Sequence, residues 1–261
     1  MSLPVLGVVF RPQSPPESLR EIVTAVDESG VAELWLWEDC FLEGGISTAA
    51  AALAWSDRVT IGIGLLPVPL RNPALAAMEL ATLERIAPGR LIAGLGHGVL
   101  DWMGKVGARA ESPLTLLREY TTAVRALLAG ETVDVAGRYV TLDGVALDWP
   151  PQAPPQLVLG ATRPKTLRLA GELADGVLLT GEEDLDGLRA ARAIVEEGRA
   201  SSGREGRPRV ITYAEVDPSR SDLRGTLLSL AEDLAAAGAD AVAFHGTASS
   251  PDPRPFLDAL A

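Results

Sequence analysis

Residues 58–96 read RVTIGIGLLPVPLRNPALAAMELATLERIAPGRLIAGLG. The stretch divides into a strand, a helix and a second strand. Arg58–Leu66 is a short apolar run of strand type. The helix spans Pro73–Ile86, with proline near its first turn and Pro88-Gly89 closing it. Arg90–Gly96 returns as a glycine-rich strand. Apolar strands alternating with helices make a parallel sheet with helices outside it.

The rhythm extends in both directions. Upstream, strand Leu6–Phe10 precedes helix Pro15–Gly30, whose Leu19, Ile22, Val23 and Val26 share one face. Leu34–Trp37 is the second strand. Downstream, a long helix over Pro113–Ala129 ends at Gly130. Between Glu131 and Pro155 the rhythm breaks. Thr132–Val135 and Arg138–Leu142, joined through Ala136-Gly137, predict a small hairpin insertion around 131–143, and WPPQAPP from Trp149 an extended connector. Four strand–helix units follow: Gln156–Leu159 with Arg163–Leu173, Gly176–Thr180 with Asp184–Ala200, Arg209–Val216 with Asp222–Ala237, and Asp240–Phe244 with a last helix near Pro255–Leu260. About eight such units in 261 residues predict an α/β fold of one domain over 1–261, a (β/α)8 TIM barrel. An open doubly wound sheet requires a glycine fingerprint after its first strand, and FRPQSPPE stands there instead.

Composition narrows the function. Hydrophobic residues make up 47% and charged residues 22%, enough apolar surface for a large core. The net charge of -12 argues against nucleic acid and anionic membrane as partners. Cys40 is the single cysteine, which rules out an internal disulfide or a thiolate cluster, and two histidines are too few for most transition-metal sites without carboxylates. No metal is expected. Met1–Phe10 has no signal-peptide pattern and no run approaches a bilayer span, so a soluble cytoplasmic protein is the expectation.

In a barrel of this kind chemistry sits where the strands end. Those ends carry Arg11, Glu38-Asp39-Cys40, Gly64-Leu65-Leu66, Gly96-His97-Gly98, Gly160-Ala161-Thr162-Arg163, Thr180-Gly181-Glu182, Glu215 and His245. His97 stands between glycines, where a core histidine would have little to pack on. Trp102, just past the fourth strand, is expected to wall a pocket. Trp35 and Trp37 are expected to fill the core and the helix layer. Glu182-Glu183-Asp184 reads as a solvated helix start.

Read together, WLWED (35–39), the 58–96 stretch with its continuation HGVLDWM (97–103), LREYTTAVRALLAGETVDVAGRYVTLDG (117–144) and PPQLVLGATRPKTLRLAGELADGVLLTG (154–181) resemble the luciferase-like monooxygenase superfamily. The likeness is closer to its branch that uses coenzyme F420, a 5-deazaflavin. It implies that Asp39 lies beside the cofactor ring, with Gly96, His97 and Gly98 near it. A histidine follows that aspartate in the sugar-phosphate dehydrogenases of the branch, and here Cys40 replaces it, which argues against their reaction. The resemblance implies a non-prolyl cis peptide at Gly64-Leu65, a bulge behind the ring. It also implies that Gly160, Ala161, Thr162 and Arg163, with Thr180, Gly181 and Glu182, hold the cofactor's phosphate at a helix amino end. His245-Gly246-Thr247 ranks second as a phosphate site.

These expectations combine into a reductase or dehydrogenase dependent on coenzyme F420. His97 is the first candidate to move the proton, with Asp39 and Cys40 behind it. Leu66, Trp102 and His245 are placed in the substrate pocket, and the apolar run Leu65–Leu70 predicts a hydrophobic small-molecule substrate. An FMN-dependent monooxygenase is the first alternative and a non-catalytic flavin-binding barrel the second. The resemblance, with the alanine-rich, weakly charged helices Thr48–Trp55 and Pro73–Ile86, implies a homodimer.

Overall fold

The computed structural model describes residues 3–181 and 184–261. Eight strands close a barrel in which every neighbouring pair runs parallel. In chain order the strands are β1 Val5–Phe10, β2 Glu33–Leu36, β3 Thr60–Pro67, β4 Leu91–Gly96, the hairpin pair β5 Val133–Ala136 and β6 Thr141–Val145, then β7 Gln156–Ala161, β8 Gly176–Leu179, β9 Arg209–Glu215 and β10 Ala241–His245. The ring order is β1-β10-β9-β8-β7-β4-β3-β2, and among the described residues only the antiparallel hairpin stands outside it.

The helices are α1 Leu19–Ser29, α2 Gly45–Ala54, α3 Pro73–Ile86, α4 Leu100–Lys105, α5 Pro113–Leu128, α6 Pro164–Leu173, α7 Leu185–Ser201, α8 Leu223–Ala237 and α9 Arg254–Leu260. Local chemistry sets their ends. Asn72 accepts a hydrogen bond from the Ala74 amide ahead of Pro73, and Asp222 does the same for Gly225. Gly30 closes α1 at φ 88°, a conformation that a β-carbon disfavours. The sequence reading contained no counterpart of α4.

Period-two alternation divides each strand between two cores. Val8 and Phe10, Leu34 and Leu36, Ile61 and Ile63, and Val242 and Phe244 face the helices. Val9, Trp35, Ile92, Val158, Leu178, Ile211 and Ala243 fill the barrel interior, with Trp37, Leu65 and Tyr213 packed above them. Trp37 lies two residues from Trp35 and so shares its inward face. That corrects the expectation that one of the two tryptophans faces the helix layer.

Glycines make the interior possible. A β-carbon at Gly62 would lie 2.5 Å from Trp35, and one at Gly64 2.0 Å from the Tyr213 hydroxyl. Three further glycines, Gly94, Gly96 and Gly160, leave the space that the Leu65 side chain occupies. At the amino end of the barrel, Glu33 pairs with Arg209 and accepts the Trp35 indole N–H at 3.0 Å. This pair closes the floor with every polar partner engaged.

Candidate active site

The carboxyl ends of β2, β3, β4, β7, β8 and β9 open into a cavity of about 990 Å3. That is the size of a cofactor or drug-sized ligand site. Part of its lining is apolar, formed by Trp37, Leu65 and Pro67, with Val99, Leu100 and Trp102 from the segment beginning α4. Another part is polar, with Thr162, Arg163, Lys165 and Thr166 at the amino end of α6, and Thr180 after β8. Lys165 is one of two lysines in the chain. Threonine hydroxyls and two cations at the positive end of a helix dipole form a cradle for an anion.

The strand ends set these positions. Between Ile63 and Leu66 the register of β3 against β4 shifts, and the Gly64–Leu65 peptide is cis. Gly64 and Leu65 therefore both face the interior, and Leu66, 2% exposed, turns to the helix layer. That corrects the placement of Leu66 in the substrate pocket. Gly98 has φ 70° and lines the cavity, and Met103 behind it is buried.

The titratable groups differ in environment. Asp39 lines the cavity, and burial pushes its carboxyl up while Arg11 opposes the rise. His97 lies 3.2 Å from the Thr166 hydroxyl through Nε2, and burial pushes its pKa down while the Pro113 carbonyl works against this. Cys40 is half-buried and does not line the cavity. Burial, then Glu38 and Asp39, push its thiol up, so it is a poor nucleophile. The Cys40–Phe41 peptide is also cis, which no sequence signal announced.

Of the expected site residues, the cavity gathers Asp39, Gly64, Leu65, His97, Gly98, Gly160, Ala161, Thr162, Arg163, Thr180 and Trp102. Gly96 backs Leu65, Gly181 follows the lining residue Thr180, and Glu182 lies outside the described residues. His245 is 8% exposed and sits behind the wall, its ring 5.0 Å from that of Trp37 and its Nδ1 3.2 Å from Arg11. It supports Trp37 and does not line the cavity, so the pocket placement is corrected. Trp37, Thr166 and Tyr213 line the cavity and were missed as site residues. The inward face of each strand would have found the first and third.

Among the described residues no group of three or more His, Cys, Asp or Glu side chains converges on a metal site, and no described helix is long and apolar enough to cross a membrane.

A closed parallel barrel with its cavity at the carboxyl mouth is the architecture of a barrel enzyme. The chain belongs to the luciferase-like monooxygenase family, whose model matches residues 5–248. A 5,10-methylenetetrahydromethanopterin reductase from Methanolobus tindarius is 29% identical over 199 residues, covering 76% of this chain and 60% of the relative. An F420-dependent glucose-6-phosphate dehydrogenase from Kineococcus radiotolerans is 29% identical over 207 residues, 74% of this chain and 61% of the relative. The chain spans about three-fifths of the length of these curated relatives. In fold, it is similar to an F420-dependent secondary alcohol dehydrogenase in complex with an F420-acetone adduct (TM-score 0.86, 20% identity, 98% of this chain and 97% of that one). It is also similar to the oxygenating constituent of 3,6-diketocamphane monooxygenase from Pseudomonas putida in complex with FMN (TM-score 0.77, 16% identity, 99% and 96%).

Proposed function

We propose that this chain is an oxidoreductase dependent on coenzyme F420 that acts on a C=O, C=N or C=C bond of a hydrophobic small molecule. The observation that carries the reading is one cavity whose lining combines apolar side chains with the hydroxyls and cations of an anion cradle. A planar ring bearing a phosphate chain fits that combination. Thr162, Thr166 and Thr180, with Arg163 and Lys165, would hold the anion, and Trp37, Leu65 and Pro67 the ring. When bound, the deazaflavin supplies or takes up a hydride at its C5.

The protein's part is to orient, to exclude water and to move a proton. Sequence placed His97 first for the proton, and the geometry favours Asp39. A general acid works best with a pKa near the working pH. Burial moves Asp39 upward, toward that range, and moves His97 downward, away from it. His97 also points Nε2 at Thr166, beside the cradle. His97 therefore fixes Thr166 for the anion, and Asp39 handles the proton at the ring end.

The walls Val99, Leu100 and Trp102 favour an apolar substrate. The reading includes a homodimer, because α3 presents Leu75, Met78 and Ile86 on one exposed face, between 46% and 66% accessible.

Titration of the protein with coenzyme F420 and with FMN tests the cofactor. Micromolar binding of coenzyme F420 without FMN binding is the expected result. Tight FMN binding alone would replace the reading with a flavin monooxygenase. Cofactor binding without turnover on any carbonyl, imine or enone would leave a non-catalytic barrel.

A further inference from the structure

Tyr213 is the one phenol lining the cavity among the described residues. It rises from β9 across the barrel, and its hydroxyl reaches the Gly64 carbonyl of β3 at 3.3 Å. Its ring is fixed on three sides, with Trp35, Trp37 and His245 at centroid distances of 5.9, 5.1 and 6.2 Å. Space for the hydroxyl exists only because residue 64 is glycine.

The hydrogen bond to Gly64 is longer than the usual O–H···O range of about 2.5–3.0 Å. A ligand oxygen or nitrogen in the cavity could therefore take the phenolic hydrogen at small cost. Burial pushes the Tyr213 phenol well above its ordinary value, so the group is a donor across the physiological range. Asp39 lines the same cavity from β2. The mouth thus holds a rigid neutral donor and a carboxyl at one end.

We propose that Tyr213 is a catalytic residue whose hydroxyl donates a hydrogen bond to the heteroatom of the substrate's C=O or C=N group. The inference rests on the oxidoreductase reading above. A reduced deazaflavin held in the cavity would supply a hydride to the reacting carbon, and the π electron pair of the C=O or C=N bond would move onto the heteroatom. Tyr213 stabilises the charge that develops there, and the heteroatom then takes a proton from the Asp39 carboxyl, which recovers one from water. A preorganised donor of this kind is worth about 10²–10³-fold in rate.

The test compares wild type with Tyr213→Phe, a change that removes one oxygen. Binding of coenzyme F420 is titrated first. Single-turnover reduction is then measured with two acceptors, cyclohexanone and an N-methylated cyclic iminium cation. The iminium nitrogen has no lone pair to accept a hydrogen bond. The expected result is cofactor affinity within about threefold of wild type, ketone reduction slower by about a hundredfold, and iminium reduction unchanged within about threefold. Equal slowing of both acceptors, or of neither, overturns the role given to Tyr213 while wild-type turnover leaves the oxidoreductase reading standing. Loss of cofactor binding in Tyr213→Phe also overturns it, because the hydroxyl would then serve the cofactor. Wild type that neither binds coenzyme F420 nor reduces either acceptor overturns both.

Discussion

Leu65 occupies the volume that Gly160 leaves open on the far side of the barrel mouth. A β-carbon at residue 160 would stand 2.2 Å from Leu65 Cδ1. The glycine of the GATR turn thus makes room for a side chain from another strand. That room belongs to an apolar side chain and not to an anion.

Gly160→Ala should therefore injure the ring end of the cavity as well as the cradle. Overpacking of this kind costs about 1–3 kcal/mol. Chemical denaturation should show that loss, and a cofactor titration should show weaker binding. In Gly160→Ala/Leu65→Ala the added methyl finds space, so stability should recover part of the way.

Arg71 contacts both oxygens of the buried Glu38 carboxylate, at 2.5 and 2.7 Å, and Glu38 also accepts the Gly45 amide at the start of α2. The pair ties the loop carrying Asp39 to the loop after β3. Arg71→Ala leaves a buried carboxylate without its cation and should cost about 3 kcal/mol in urea unfolding. Arg71→Met with Glu38→Gln should recover only part of that loss, because the Glu38 charge is removed while Glu79, 3.4 Å from the Arg71 Nε, still loses its cation.

Glu43 follows the Cys40–Phe41 cis peptide, and burial raises its carboxyl to about 7. The folded state therefore favours the protonated acid. Its contribution to stability is complete below pH 4.5, its ordinary value, and is lost as pH rises through about 7. Glu43→Gln should raise Tm at pH 8 by about 2–4 °C, as expected for about 1 kcal/mol in a chain of this size, and leave it unchanged at pH 4. A scan of Tm against pH decides the point.

Met78 is 56% exposed in the middle of the apolar face of α3. If a second copy packs there, Met78→Glu should halve the mass seen by light scattering and leave the circular dichroism spectrum unchanged. A wild-type monomer would remove the homodimer from the proposal.

Much of the barrel was legible because each strand is a short apolar run punctuated by glycine or proline, as in Arg90–Gly96 and Gly176–Thr180. The cis peptide at Gly64–Leu65 followed from family likeness and is present. What escaped the sequence depended on direction more than on element type. Leu66 and Leu65 are chemically alike, and only the register shift in β3 decides that one faces the cavity and the other the helices. Helix α4 escaped because Val99, Leu100 and Val106 are exposed, so its segment lacks the buried stripe that marks a surface helix. Tyr213 escaped because an aromatic residue inside a strand pattern reads as core until its hydroxyl is seen at the cavity.

The packing of Leu65 against Gly94, Gly96 and Gly160 also bears on how this mouth can be re-engineered. Three strands share one volume, so none of the four positions is free to vary alone. A library that randomises them one at a time would meet mostly clashes or voids. One that exchanges a smaller residue at 65 for larger ones at 96 or 160 moves the apolar wall from one side of the barrel to the other, whereas Gly94 is held small by the Ile63 carbonyl, 2.4 Å from where its β-carbon would lie. Residue 65 with Gly96 and Gly160 makes up a single adjustable unit for reshaping the pocket.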